Sequence, residues 1–196
     1  MKPSTIHRVG AEPVAAIDVL ETGALPSVPA DLRAALRSDH AGETGAVYIY
    51  RGIEAISGDP ELLRFAAAHR ATEEQHLELM NQLVPAGERS RLLPVWRLAG
   101  WLTGALPSLL GRPAVFRTIG AVETFVDFHY QAQIDELEGR PEHAGLRALL
   151  VSCRDDEREH RDEALEHLDP PGLLARLWIA MVASGSKIGV LLASRF

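Results

Sequence analysis

The sequence predicts an all-α protein, a four-helix bundle carrying an apolar crossover segment and an additional C-terminal helix. Three observations support this. Apolar residues recur at spacings of three, four and seven through four long segments, and no stretch shows the alternation and turn spacing of a sheet. Helix punctuation bounds those segments, at Asp59-Pro60, Pro85-Ala86-Gly87, Gly139-Arg140-Pro141 and Asp169-Pro170-Pro171-Gly172. The chain also repeats itself: a Glu followed at a distance by Glu-x-x-His occurs once in each half, with offsets of 80 residues between the lone Glu residues and 84 between the pairs.

Residues 1–30 are read as a largely irregular N-terminal extension, with at most a turn of helix around Ala15 to Leu20, and residues 31–196 as the bundle domain. The first helix is expected from Asp31, as N-cap, to Ser57-Gly58. Leu36, Glu43, Val47, Tyr50 and Glu54 share one stripe of it. The second starts with Asp59 as N-cap and Pro60 at the first position, where a missing N–H costs nothing, and ends before Pro85. Residues 88–112 read as a crossover whose Pro94, Pro107 and glycines break the helical rhythm. The third helix runs from Arg112-Pro113 to Glu138-Gly139. The fourth runs from near Pro141 to Leu168, and a last apolar helix from about Leu173 to Ser194.

The 196 residues suffice for one domain with a substantial core, and 46% of them are apolar. A net charge of -7 argues against nucleic acid as a partner, since a sequence-independent binder needs a basic surface. The charge is uneven. Residues 88–117 hold five Arg and one acid, and residues 172–196 two Arg, one Lys and no acid. These stretches are also the most apolar, a combination suited to an anionic lipid surface. Spanning a bilayer takes about 20 apolar residues in a row, and neither stretch offers that without a charge or Pro. Both are therefore expected to lie on the membrane or pack on the bundle, with Trp96 and Trp101 at headgroup depth and Arg89, Arg91, Arg97 and Lys187 reaching lipid. The single Cys153 excludes an internal disulfide and reads as a small buried hydrophobe. The first twenty residues resemble neither a secretory signal nor an Arg-rich transit peptide, which gives a cytoplasmic address by default.

The paired motifs carry the chemistry. Glu73-Glu74-Gln75-His76 and Glu157-Arg158-Glu159-His160 each place a Glu and a His one helical turn apart on one face, where both side chains grip a single metal ion. One pair alone is weak: 17 Glu and 8 His in 196 residues give about 0.7 such matches by chance. With Glu43 lying 30 residues before Glu73 and Glu123 lying 34 before Glu157, the set becomes four carboxylates and two imidazoles. That is the ligand set of ferritin-like di-iron or di-manganese carboxylate bundles. Hard carboxylates without thiolates suit iron or manganese over structural zinc. Two iron ions bridged by carboxylates are the natural reading, with both lost together on replacing Glu43 or Glu123. A ligating His donates its other ring N–H to an outer acceptor, and Asp39 and Asp127 lie on the right helices for this. Glu163 and His167, four apart, miss the template. His40, His69 and His143 fit no ligand pattern and are read as structural or exposed.

At Asp39-His40-Ala41-Gly42-Glu43-Thr44-Gly45-Ala46, Ala121-Val122-Glu123, His129-Tyr130, Asp156-Glu157-Arg158-Glu159-His160 and the Leu-Ala-Ser-Arg-Phe ending, the sequence resembles the demethoxyubiquinone hydroxylases of ubiquinone biosynthesis. The match runs from about Leu32 to the C-terminus, and Thr44 stands where animal members commonly carry Tyr. The resemblance implies that Glu43, Glu73, His76, Glu123, Glu157 and His160 ligate iron. It implies oxygen-dependent hydroxylation of a polyprenyl demethoxyubiquinol, and a role for His129 and Tyr130 in passing electrons to the irons. On spacing alone Tyr130 shares the face of Glu123, whereas His129 points off it. The resemblance further implies peripheral attachment to the cytoplasmic face of a bacterial cell membrane, with other ubiquinone-biosynthesis proteins as partners. Two readings from other classes stay open: a ferritin-like iron-storage or peroxide-scavenging bundle, and a non-catalytic quinone-binding scaffold.

Overall fold

The computed structural model describes residues 25–166 and 168–196, so the turn of helix expected around Ala15 lies outside the described residues. Among the described residues six α-helices follow one another: α1 (Arg33–Ile56), α2 (Pro60–Leu83), α3 (Leu93–Ser108), α4 (Arg112–Glu136), α5 (Ala144–Leu165) and α6 (Leu173–Ala193). No strand occurs among the described residues. The hairpins α1–α2 and α4–α5 form the bundle, while α3 lies along α1 and α6 along α4 and α1.

Local chemistry sets most boundaries. Asp59 caps α2 through a 2.9 Å bond from the Glu61 amide, with Pro60 in the first turn. Arg112 at the start of α4 pairs with Asp59 and Glu61, which pins the two hairpins together at one end. Asp31 departs from its expected role. It lies in a 3-10 turn over Ala30–Leu32, Leu32 precedes α1, and its carboxylate instead accepts Arg140 at 2.7 Å. Helix α5 likewise starts through a 3-10 turn, Pro141–His143.

The crossover is helical, contrary to the expectation from its prolines and glycines. Pro94 occupies the first turn of α3, where an absent N–H has no intrahelical partner to lose, and Pro107 stands at the next-to-last position. Gly100 and Gly104 mark contact with α1. A Cβ on Gly104 would lie 1.9 Å from the Ile49 carbonyl oxygen, and one on Gly100 2.3 Å from that of Gly45. Gly52 faces back, and a Cβ on it would lie 2.2 Å from the Trp101 carbonyl oxygen. Small residues at this spacing let two backbones touch, as in membrane helix pairs.

Two apolar clusters fill the bundle. One joins Leu36, Met80, Tyr130, Ile134 and Leu149. The other joins Tyr50, Ile53, Leu62, Phe65 and Ile119. On each of the four bundle helices the Glu and His motifs fall between these clusters, so the polar layer is closed above and below. Cys153 is buried in the first cluster as expected, and burial pushes its thiol up to about 12.

Helix α6 is long and apolar enough to cross a membrane by length and composition, with mean hydropathy 1.4. Side-chain and backbone ties hold it alongside the bundle. Trp178 Nε1 donates to Thr118 Oγ1 at 2.7 Å, Arg37 donates to the Ser194 carbonyl at 3.1 Å, and the Arg91 amide donates to the Phe196 carbonyl at 2.8 Å. Its outer face, with the outer face of α3, leaves Val95, Leu98, Leu173, Leu174 and Leu177 each at least 60% exposed. An apolar surface of this extent marks an interaction site. Two residues expected to face lipid do not. Trp96 turns inward, so that a Cβ on Gly189 would stand 2.8 Å from its ring. Arg89 caps the carbonyls of Asn81 and Val84 at the end of α2, at 2.9 and 3.2 Å.

Candidate metal centre

Each bundle helix delivers its motif to one layer. Glu43 comes from α1, Glu73 and His76 from α2, Glu123 from α4, and Glu157 and His160 from α5, and all six are buried. They form two overlapping groups. Donor atoms of Glu43, Glu73, His76 and Glu157 lie within 4.8 Å of one another, and so do those of Glu73, Glu123, Glu157 and His160. Glu73 and Glu157, the carboxylates of the Glu-x-x-His pairs, belong to both. This revises the expectation that Glu43 and Glu123 are the shared ligands: each of those belongs to one group only.

Both imidazoles aim Nδ1 inward. His76 Nδ1 lies 3.1 Å from Glu157 Oε1 and 3.8 Å from Glu43 Oε2, and His160 Nδ1 lies 3.1 Å from Glu73 Oε1. Both oxygens of Glu73, one of Glu157 and Nδ1 of His160 are buried without a hydrogen-bond partner. A buried ionised group in that condition is costly unless a cation faces it. Burial first, and then the charge of Glu157, raises the carboxyl groups of Glu43, Glu73 and Glu123. Glu157 resists its own burial through the His160 and His76 imidazoles that face it, which bring it down to about 2. Two divalent cations balance four carboxylates, so the donor set fits a pair of hard metal ions.

The surrounding contacts correct several assignments. The outer acceptor for a ligand histidine is Asp156, whose Oδ2 lies 3.0 Å from His76 Nε2. Asp127 instead accepts Arg158 and Arg161, each at 2.8 Å. Asp39 binds His129 at 2.8 Å and Gln133 at 2.9 Å. Tyr130 hydrogen-bonds Glu43 directly, and His129, expected to point off the site's face, lines the adjoining cavity with Asp39. Two residues outside the expected site adjoin it. Tyr50 donates to Glu123 Oε1 at 3.4 Å, and the His69 ring meets that of His160 edge-on at 4.1 Å between centroids. Both were detectable in principle, Tyr50 seven residues after Glu43 and His69 seven before His76. Asp156 gave no such signal, being one acid in a charged run.

A cavity of about 350 Å³ runs between α1, α3, α4 and α6, and Glu43, Glu73, Glu123 and Glu157 form one wall of it. The remainder is largely apolar, including Ile49, Trp96, Val122, Val126 and Val182. Val95, Met181 and Leu192 line it too and are 60, 56 and 42% exposed, so the cavity reaches the apolar outer surface.

A helical bundle with a buried layer of four carboxylates and two histidines defines the class of dinuclear metal–carboxylate proteins. Within that class the chain belongs to the family described as "Ubiquinone biosynthesis protein COQ7", whose model matches residues 30–193. It is 32% identical over 165 residues to the rat NADPH-dependent 3-demethoxyubiquinone 3-hydroxylase, mitochondrial, covering 82% of this chain and 76% of that protein. It is 39% identical over 141 residues to the 3-demethoxyubiquinol 3-hydroxylase of Rhodospirillum rubrum, covering 70% and 65%. Identity to the yeast 5-demethoxyubiquinone hydroxylase, mitochondrial, is 30% over 153 residues, covering 67% and 64%.

Proposed function

We propose that this chain hydroxylates a polyprenyl demethoxyubiquinol at an unsubstituted ring carbon, with molecular oxygen as co-substrate, in ubiquinone biosynthesis. The observation that carries the proposal is the cavity: an apolar passage joins the metal-facing carboxylates to an exposed apolar surface, as a substrate with its tail in lipid requires. The names of the relatives agree with it. Storage of iron uses no such passage, and a scaffold leaves the buried carboxylate layer without a use.

In this reading the cofactor is a pair of iron ions, which Glu43, Glu73, His76, Glu123, Glu157 and His160 would hold between them. The irons supply oxygen activation. The protein's own task is to exclude water with the apolar walls, hold the ring carbon near the carboxylate layer and keep the donors in place. Tyr130, against Glu43, and its neighbour His129 would form the path by which electrons reach the metals. The chain would sit peripherally on the cytoplasmic face of a bacterial membrane through α3 and α6, beside other proteins of the same biosynthesis. The test is complementation of a bacterial strain that accumulates demethoxyubiquinone. Ubiquinone should return with the wild-type chain and not with Glu157→Ala or His160→Ala. Continued precursor accumulation with iron-loaded wild-type protein would refute the proposal.

A further inference from the structure

Two contacts place the His69 imidazole between the metal centre and the outer surface of α5. Inward, its ring meets that of His160 at 4.1 Å between centroids. Outward, its Nε2 lies 3.0 Å from Oε2 of Glu163, whose side chain is 55% exposed. His69 itself is 6% exposed, and its Nε2 is buried with no hydrogen-bond partner among the described residues. The two atoms thus stand at the distance of an ion pair without the alignment of a hydrogen bond. Buried polar atoms are nearly always paired, and a nitrogen left without a partner costs stability. A cation facing both atoms would pair each of them. Two donors held by one ion at about 2.1 Å and at right angles stand about 3.0 Å apart, which is the separation of this nitrogen and oxygen.

Glu163 belongs to a surface depression lined also by Asp155, Arg158, Glu159, Asp162 and Glu166. Glu159, Glu163 and Glu166 follow at spacings of four and three, so they share one face of α5, where like charges repel. The one cation of the depression, Arg158, is engaged by Asp127 at 2.8 Å. Such a field concentrates a hydrated divalent cation at the surface. The apolar cavity that opens between α3 and α6 suits the same ion poorly, because its walls cannot replace the water the ion gives up. We infer that Glu163 Oε2 and His69 Nε2 form an outer cation site through which divalent metal passes from solvent to the buried centre. The depression draws the ion in, Glu163 and His69 replace part of its water, and His160 takes it over. The destination rests on the metal centre proposed above, whereas the outer site rests on the unpaired His69 nitrogen and the carboxylate beside it.

The test uses the full chain freed of metal by chelation, with cobalt(II) alone as the probe and oxygen excluded. The visible absorbance of bound cobalt follows the filling of the centre, and metal analysis after gel filtration counts the ions retained. Glu163→Gln keeps the size of the side chain and removes its charge, and it should fill the centre at least about tenfold more slowly than wild type, ending with the same number of ions. His69→Phe keeps a ring against Phe65 and His160 without a nitrogen donor and should be slowed likewise. Should that variant lose its helical signal, Glu163→Gln decides, its position being exposed. Glu142→Gln removes the same charge from an exposed position in the turn before α5 and should load at the wild-type rate. Loading at the wild-type rate in Glu163→Gln, or in folded His69→Phe, would overturn the inference. Equal slowing in Glu142→Gln would also overturn it, reducing the effect to net charge. Fewer ions retained at the end in Glu163→Gln would make Glu163 a ligand of the centre and overturn the outer site. A wild-type chain that takes up no cobalt would sink the metal centre as well, whereas normal stoichiometry with unchanged rates sinks the outer site alone.

Discussion

Tyr130 gives its phenolic hydrogen to Glu43, so the helix that supplies Glu123 also holds the carboxylate that faces it from α1. Tyr130 is buried, and its hydroxyl is taken up by Glu43. Tyr130→Phe should therefore keep its metal while losing about 2 kcal/mol of stability, the usual cost of a hydrogen bond to a charged partner. The rate at which added reductant bleaches the ferric absorbance should fall at the same time. Metal loss in this variant would make the phenol a ligand, and an unchanged reduction rate would remove it from the electron path.

The overlap of the two groups at Glu73 and Glu157 separates the six residues by consequence. Glu73→Ala or Glu157→Ala should empty both positions, and Glu43→Ala or Glu123→Ala should lower the metal content from two ions to one. Circular dichroism should remain helical throughout, because the apolar clusters on either side do not depend on one carboxylate. Equal loss in all four variants would mean that Glu43 and Glu123 also bridge.

All six ligand candidates were legible because helical spacing and a repeated order are properties of sequence. The bundle helices were legible for the same reason, with Asp59-Pro60 and the Gly-Pro stops marking their ends. The helical crossover was not. Pro94 and Pro107 announce interruption, and only the contact with α1 shows that Gly100 and Gly104 are places of close approach. Asp39 and Asp127 were on the right helices, yet which partner each meets depends on side-chain direction across helices, where His129 and the two arginines compete with the ligand histidines. The inward turn of Trp96 was hidden likewise, since it needs Gly45 and Gly189 from two other helices.

The exposed apolar faces of α3 and α6 predict docking on lipid. Co-sedimentation with liposomes should rise with anionic lipid and fall with added salt, as basic side chains near an apolar face require. Replacing Leu98 and Leu177, 61 and 60% exposed, by Asp should lower binding without changing the helical signal. Binding indifferent to charge, salt and these substitutions would make the faces a protein contact instead.

His129 gives a pH dependence. Burial lowers its tendency to hold a proton, but the hydrogen bond and charge of Asp39 outweigh this and raise it above 6.5. The stabilisation from the charged pair is thus fully present below that value and is lost as pH rises through the raised one. An NMR titration of the His129 ring should show a midpoint above 6.5 that drops in Asp39→Asn. The stability gap between wild type and variant should narrow from mildly acidic to alkaline buffer. A ring that titrates identically in both proteins would contradict the pairing.

The most direct measurement of the central claim is a turnover of iron-loaded protein with reductant, short-tailed demethoxyubiquinol and isotopically heavy molecular oxygen, analysed by mass spectrometry. The account predicts a product carrying one heavy oxygen atom as a new ring hydroxyl, absent with Glu157→Ala. Consumption of oxygen with the quinol recovered unchanged, or a hydroxyl whose oxygen comes from water, would contradict it.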